Sequence, residues 1–190
     1  MSRRVVLLDK DGTLVENVPM NADPARIRLT PGVPDALLRL SAAGFRIAVV
    51  SNQSGVAFGH FTEEALVDVE QRMRELLAQF AIELDGFFYC PHHPDAVVER
   101  YRCVCDCRKP APGLLATAAT RFHASPERIW MVGDILDDVE AAHRAGCRAI
   151  LFDSGGETEW MVTPLRRPEF VVTRFERVAD IILGAPRNAA

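Results

Sequence analysis

The run Val5-Val6-Leu7-Leu8, closed by Asp9-Lys10-Asp11-Gly12-Thr13, constrains this chain more than any other segment. Apolar residues without polar alternation read as a short strand covered on both faces, and such strands belong to parallel sheets flanked by helices. Two carboxylates then stand at the carboxyl end of a strand, where open α/β sheets place their ligands. Alternation along extended backbone puts Asp9 and Asp11 on one side and Lys10 on the other. Gly12 lets the chain turn, and Thr13 can hydrogen-bond local backbone. Paired carboxylates at such a tip suit a hard cation and a nucleophile beside an acid/base. A strand ending in a solvated acidic turn would present the same residues, so the rest of the chain decides between them.

Strand and helix patterns alternate along the remainder. Residues 14–30 form a polar loop, and a helix over 33–43 carries Val33, Leu37 and Leu40 on one face before Gly44. Residues 45–50 are a second strand ending at Ser51. Thr62 is placed to cap a long helix with Glu63 and Glu64 in its first turn and Leu66, Val69, Met73, Leu76 and Phe80 on its apolar face. A strand near 86–90 precedes an irregular stretch to Pro112, then a helix to about 122. Strands at 129–132, 148–152 and 170–173 and helices at 137–145 and from about 175 complete a parallel, doubly wound α/β pattern. The chain reads as one domain over residues 1–184, with 185–190 as a tail.

Composition bounds the function. With 190 residues, 48% hydrophobic and 25% charged, the sequence can bury a sizeable core. No apolar run is long enough to span a membrane. Only four apolar residues lie between Arg4 and Asp9, too few for a signal peptide, so a cytoplasmic location is expected. A net charge of −4 without a Lys/Arg tract gives nucleic acid little electrostatic support. Of the 22 cationic residues only Lys10 and Lys109 are lysine, which suggests a need for a compact ammonium at both positions.

Three further segments each supply a chemical part. Ser51-Asn52-Gln53-Ser54-Gly55 offers hydroxyl, amide and backbone N–H groups able to hold a phosphoryl oxygen, although it also makes a good turn. Asp134, after the strand 129–132, converges with Asp9 and Asp11, and three clustered acids need a cation, for which magnesium is the natural choice. Asp137 and Asp138 can instead serve as first-turn acids of a helix. Lys109, in Arg108-Lys109-Pro110, can neutralise the acids and a phosphoryl group. In residues 90–107, Cys90, His92, Cys105 and Cys107 have the clustered spacing of a structural zinc site of three thiolates and one imidazole. His93 could replace His92, and Cys103 could compete with Cys105. Cys103 and Cys147 read otherwise as small apolar residues, and His60, His123 and His143 as structural residues without partners.

Asp9-x-Asp11-Gly12-Thr13, Ser51, Lys109-Pro110 and Gly133-Asp134-x-x-x-Asp138, in this order at strand ends, resemble the haloacid dehalogenase (HAD) phosphatase superfamily over about residues 4–153. The resemblance implies Asp9 as the nucleophile that becomes an aspartyl phosphate, and Asp11 as the acid for the leaving alcohol and then the base for water. It implies that Asp9, the backbone carbonyl of Asp11 and Asp134 hold Mg²⁺, and that Ser51 and Lys109 stabilise the transferring group. Many members insert a cap domain; the 37 residues between Thr13 and Ser51 leave no room for a helical one. An open site whose specificity comes from loops is therefore expected.

The run Cys-Pro-His-His-Pro, followed by Cys-Asp-Cys-Arg-Lys-Pro, is similar to the heptose bisphosphate phosphatases and the related histidinol-phosphate phosphatases. The 14 residues between Cys90 and Cys105 match the longer heptose-type loop. That resemblance implies a small phosphorylated sugar as substrate, gripped by Arg108 and Lys109 with Asn52, Gln53, Ser54 and the loop Asn17, Val18, Pro19 and Met20. Separately, charge and hydropathy lead to the expectation of no nucleic-acid or membrane partner, and a monomer is expected. Ile135 stands where some heptose enzymes have lysine, which bears on the contact to the sugar phosphate and on anomer preference. Competing readings are a histidinol-phosphate phosphatase, a phosphatase of nucleic-acid ends, an aspartate-phosphorylated signalling domain and a zinc-stapled binding module.

Overall fold

The computed structural model describes residues 3–184, so the expected tail at 185–190 lies outside the described residues. The strands are β1 (Arg4–Leu8), β2 (Phe45–Asn52), β3 (Gly86–Cys90), β4 (Ile129–Gly133), β5 (Arg148–Phe152) and β6 (Phe170–Val172). They form one sheet in the order β3-β2-β1-β4-β5-β6, with every neighbouring pair parallel. This is a doubly wound sheet whose strand order reverses between β1 and β4.

The unbroken apolar runs follow from burial on both faces. Val6, Leu8, Ile47, Val49, Trp130, Val132 and Ile150 face one layer of the core; Val5, Leu7, Ala48, Val50, Met131 and Ala149 face the other. Helices α1 (Val33–Ala42), α3 (Ala65–Ala78) and α6 (Glu176–Leu183) cover the first face; α4 (Gly113–Phe122) and α5 (Leu136–Arg144) cover the second. Between β1 and β2 lie a loop, one 3₁₀ turn at Pro24–Arg26 and α1. Among the described residues no helix is long and apolar enough to cross a membrane.

Local details differ from the sequence expectation. Residues Ser54–Ala57, read as part of a loop, form the one-turn helix α2. Helix α3 starts at Ala65, so Thr62 does not cap it with a side chain, and Glu63 and Glu64 precede its first turn. Glu63 instead accepts hydrogen bonds from Tyr89 Oη at 3.0 Å and Tyr101 Oη at 2.7 Å, tying the approach to α3 to β3 and the irregular stretch after it. The buried stripe of α3 is Leu66, Val69, Met73 and Leu77, whereas Leu76 is half-buried and Phe80, beyond the helix, is exposed. The spacing of four from Met73 to Leu77 keeps the stripe on the core side; the series through Leu76 and Phe80 drifts off it. Accordingly, Leu77→Ala should lower the unfolding free energy by about 2–5 kcal/mol in denaturant titrations. Phe80→Ala should cost about 1 kcal/mol or less, and the reverse ranking would contradict this packing.

Candidate active site

Asp9 sits just past β1 at the point where the strand order reverses. Its backbone N–H donates to the Val132 carbonyl at 2.9 Å, which extends the β1–β4 pairing and drops the Asp9 side chain between the two strand ends. Beyond Asp9 the chain folds back: the N–H groups of Leu14 and Val15 donate to the Asp9 and Lys10 carbonyls at 3.2 and 2.9 Å, and that of Gly12 donates to the Val15 carbonyl at 2.9 Å. Gly12 has φ +78°, and a Cβ there would collide with the Asp134 carboxylate. A Cβ at Gly156, in the loop after β5, would strike the same carboxylate from another side. Both glycines therefore leave room for an acid at the centre of the crevice.

Three buried carboxylates converge there: Asp9, Asp134 and Asp138 offer oxygens within 4.8 Å of one another. The ammonium of Lys109, itself buried, lies 2.6 Å from Asp9 Oδ1 and 2.6 Å from Asp138 Oδ1, and donates to the Val50 carbonyl at 2.9 Å. Burial opposes the charge on Lys109, but the Asp138 and Asp9 carboxylates outweigh it and hold the lysine above its ordinary value. Burial, then Asp9 and Asp138, push Asp134 up to about 8. One ammonium among three carboxylates leaves an excess of negative charge in a site shielded from water. A hard divalent cation fits that oxygen-only donor set.

The expected metal set of Asp9, Asp11 and Asp134 is thus joined by Asp138, which also accepts from the Ile135 N–H at 3.3 Å at the start of α5. Asp137 faces away and pairs with Arg166 at 2.7 Å. Asp11 keeps its side chain outside the cluster. Lys10 Nζ lies 2.8 Å from Asp11 Oδ1, and Gln53 Nε2 donates to Asp11 Oδ2 at 3.4 Å and to Ser51 Oγ at 2.9 Å. Lys10 does not point away from the acids as strand alternation predicts, because β1 ends at Leu8 and the turn that follows brings the lysine beside Asp11. Burial raises the Asp11 carboxyl, with Lys10 offsetting part of the rise.

In front of Asp11 lies a groove of about 140 Å³. Its wall includes Asn17, Pro19, Met20, Asn52, Gln53 and Ser54, as the sequence suggests, together with Asn21 and Phe61, which sequence reasoning missed. Val18 is not on that wall. Arg108 reaches its rim indirectly, donating to Ser54 Oγ at 2.7 Å and to the His92 carbonyl at 3.4 Å. Asn52 uses its amide on the Lys109 backbone: Nδ2 donates to the Lys109 carbonyl and Oδ1 accepts from its N–H, both at 3.0 Å.

Cys90, His92, Cys105 and Cys107 bring their ligand atoms within 4.8 Å of one another. Cys90 Sγ lies 3.6 Å from Cys105 Sγ, and His92 Nδ1 lies 3.4 Å from Cys107 Sγ. Ligands about 2.0–2.3 Å from one tetrahedral ion stand at roughly such separations. His93 and Cys103 lie outside this cluster. His93 Nδ1 accepts from the Asp95 N–H at 3.1 Å and its ring meets Phe58, while Cys103 is exposed rather than packed as a small apolar residue. Cys147 is buried, as expected. His143, expected to lack partners, places Nδ1 2.9 Å from the Leu165 carbonyl and Nε2 3.2 Å from Glu169.

The family model for HAD-hydrolase-like proteins matches residues 106–178. The D-glycero-beta-D-manno-heptose-1,7-bisphosphate 7-phosphatase of Escherichia coli strain K12 is 42% identical over 137 residues, which cover 72% of each chain. The protein of that name from Pseudomonas aeruginosa is 34% identical over 188 residues, covering 96% of this chain and 99% of its own. Among solved structures, the D,D-heptose 1,7-bisphosphate phosphatase of B. bronchiseptica, complexed with magnesium and phosphate, superposes with a TM-score of 0.78 at 30% identity. The match covers 96% of this chain and 99% of that one.

The amide clamp on Lys109 can be measured directly. Asn52→Ala leaves two peptide groups of a buried residue without partners and should lower stability by about 1–3 kcal/mol in chemical denaturation. An unchanged midpoint and slope would show that the clamp holds nothing in place.

Proposed function

Because this chain belongs to the HAD phosphatase family that includes the heptose bisphosphate 7-phosphatases, and is a phosphoric monoester hydrolase, we propose that it removes the 7-phosphate of D-glycero-D-manno-heptose 1,7-bisphosphate. The observation that carries this reading is the Asp9–Lys109–Asp138 ion triad beside Asp11, in a chain alignable almost end to end with a curated enzyme of that activity.

Asp9 is placed to attack phosphorus: its carboxylate is held in the crevice by Lys109, and it stands at the head of a rigid strand. The Asp9–phosphorus bond forms as the bond from phosphorus to the sugar oxygen breaks, and Asp11 gives that oxygen its proton. Asp11 then takes a proton from the water that cleaves the aspartyl phosphate, returning Asp9 as a carboxylate. The raised Asp11 carboxyl suits a group that must carry a proton before the first step. Ser51 and Lys109 face the equatorial oxygens, where charge stabilisation acts. Asp9, the Asp11 backbone carbonyl and Asp134, with Asp138 beside them, would hold Mg²⁺. Bound there, the ion would polarise the phosphoryl oxygens and balance the excess negative charge of the site.

The groove in front of Asp11 would take the sugar, with the Asn17–Met20 loop and the Gln53–Ser54 turn as walls and Arg108 on the rim for the phosphate that does not react. Cys90, His92, Cys105 and Cys107 would hold a structural Zn²⁺ with no open coordination position, so the metal orders the loop that ends at Arg108-Lys109 and takes no part in the chemistry. The enzyme acts as one domain over residues 1–184 in this account, on a small metabolite, as a monomer in the cytoplasm.

Phosphate release across heptose bisphosphate, histidinol phosphate and common sugar phosphates tests the substrate. The specificity constant should be highest for the heptose bisphosphate, and a higher value for histidinol phosphate would transfer the function. Asp9→Asn should lose essentially all turnover with the fold intact. Metal analysis of protein purified without chelators should find about one zinc per chain. Cys107→Ser should lose it and Cys103→Ser keep it; a zinc-free wild-type protein would remove the structural role.

A further inference from the structure

Lys10 is almost completely enclosed, at 1% exposure, yet nothing in the proposed chemistry employs it. It is one of only two lysines among 22 cationic residues, and the other, Lys109, is the buried ammonium of the ion triad. Both exceptions to the arginine usage of this chain therefore lie in the same crevice, each within 3 Å of an active-site carboxylate. A buried side chain whose ammonium ends 2.8 Å from Asp11 Oδ1 is held there by its surroundings and not by a flexible surface pairing.

The consequence concerns which oxygen of Asp11 is available. Oδ1 is occupied as the acceptor of the Lys10 ammonium. Among the described residues, Oδ2 accepts from the Gln53 amide through a long 3.4 Å contact, on the side of the groove that Asp11 and Gln53 both line. The turn carrying these groups is closed by the Val15 N–H bond to the Lys10 carbonyl and the Gly12 N–H bond to the Val15 carbonyl, which sets where the Asp11 side chain starts; rotation about its Cβ–Cγ bond only exchanges two equivalent oxygens, so the Lys10 contact still leaves one oxygen toward the groove. We propose that Lys10 is a positioning residue that fixes the Asp11 carboxyl in one rotamer, presenting Oδ2 to the leaving-group oxygen. This rests on Asp11 being the acid of the proposed reaction. Lys10 does not touch substrate; it acts through Asp11.

The test compares an unactivated sugar phosphate with 4-nitrophenyl phosphate, whose leaving group needs no proton. Compared as kcat/KM, which ends at formation of the aspartyl phosphate and so excludes the water step, Asp11→Asn should fall further on the sugar phosphate than on the aryl ester; equal losses would remove the acid role itself, and this inference with it. With that established, Lys10→Met should lower kcat/KM on the sugar phosphate about tenfold or more beyond its effect on the aryl ester. Introduced into Asp11→Asn, the same substitution should leave the ratio of the two activities where Asp11→Asn alone puts it, because the residue acts only through that carboxyl. A lysine needed only for folding would lower both activities together with thermal stability, and would add to Asp11→Asn; either result overturns the proposal. If Lys10→Met does not fold, Lys10→Gln is read by the same ratio.

Discussion

One ammonium set among three buried carboxylates governs the rest of this molecule. Lys109 pairs with Asp9 and Asp138 at 2.6 Å each, while Asp134 shares the crevice without a cation of its own. Carboxylates this close repel strongly when water is excluded, and each must be held in place or neutralised. The sheet supplies the holding. Asp9 extends β1 against β4, Asp134 leaves β4 directly, and Asp138 lies in the first turn of α5, so three separate elements deliver the acids to one point. The geometry is costly to assemble and therefore suited to a task that needs concentrated negative charge around a cation and a transferring phosphoryl group.

The lysine arrives from about a hundred residues away along the chain and needs an anchor of its own. Asn52, at the end of β2, clamps its peptide from one side. The cysteine–histidine cluster fixes the chain immediately before it, and Arg108 ties that segment to Ser54. Glu63 adds a further tether by accepting from Tyr89, just before the cluster's loop, and from Tyr101 inside it. The segment that carries Lys109 is thus connected to the cysteine–histidine cluster, and the groove wall is shaped by the same contacts.

Much of this could be read in the sequence, for reasons of burial. Strands covered on both faces have no polar positions, so runs such as Val5–Leu8 and Ile129–Val132 mark themselves, and polar residues just past them must lie at sheet edges. That Cys90, His92, Cys105 and Cys107 come together was legible from spacing, whereas His93 is drawn out of the cluster by the Phe58 ring and the Asp95 amide. What stayed hidden involves partners distant in sequence or a change of backbone direction. Asn52 looks like a turn residue until Lys109 is folded against it. Lys10 looks like an outward side chain until the strand is seen to end at Leu8. Asp138 reads as a first-turn helix acid because the ammonium that makes it an active-site group is 29 residues upstream. In α3, a one-residue ambiguity between Leu76 and Leu77 is resolved only by the surface the helix packs on.

The central claim is that Asp9, held by Lys109, carries the phosphoryl group between substrate and water. Its most direct test is to quench the enzyme with acid during turnover and locate the covalent phosphate by peptide mapping, using Asp11→Asn to slow hydrolysis of the intermediate. The account predicts phosphate on the peptide containing Asp9, at Asp9 itself, chased away when substrate is withdrawn. Phosphate on Asp134 or Asp138, or steady turnover with no phosphorylated peptide in either protein, would contradict it.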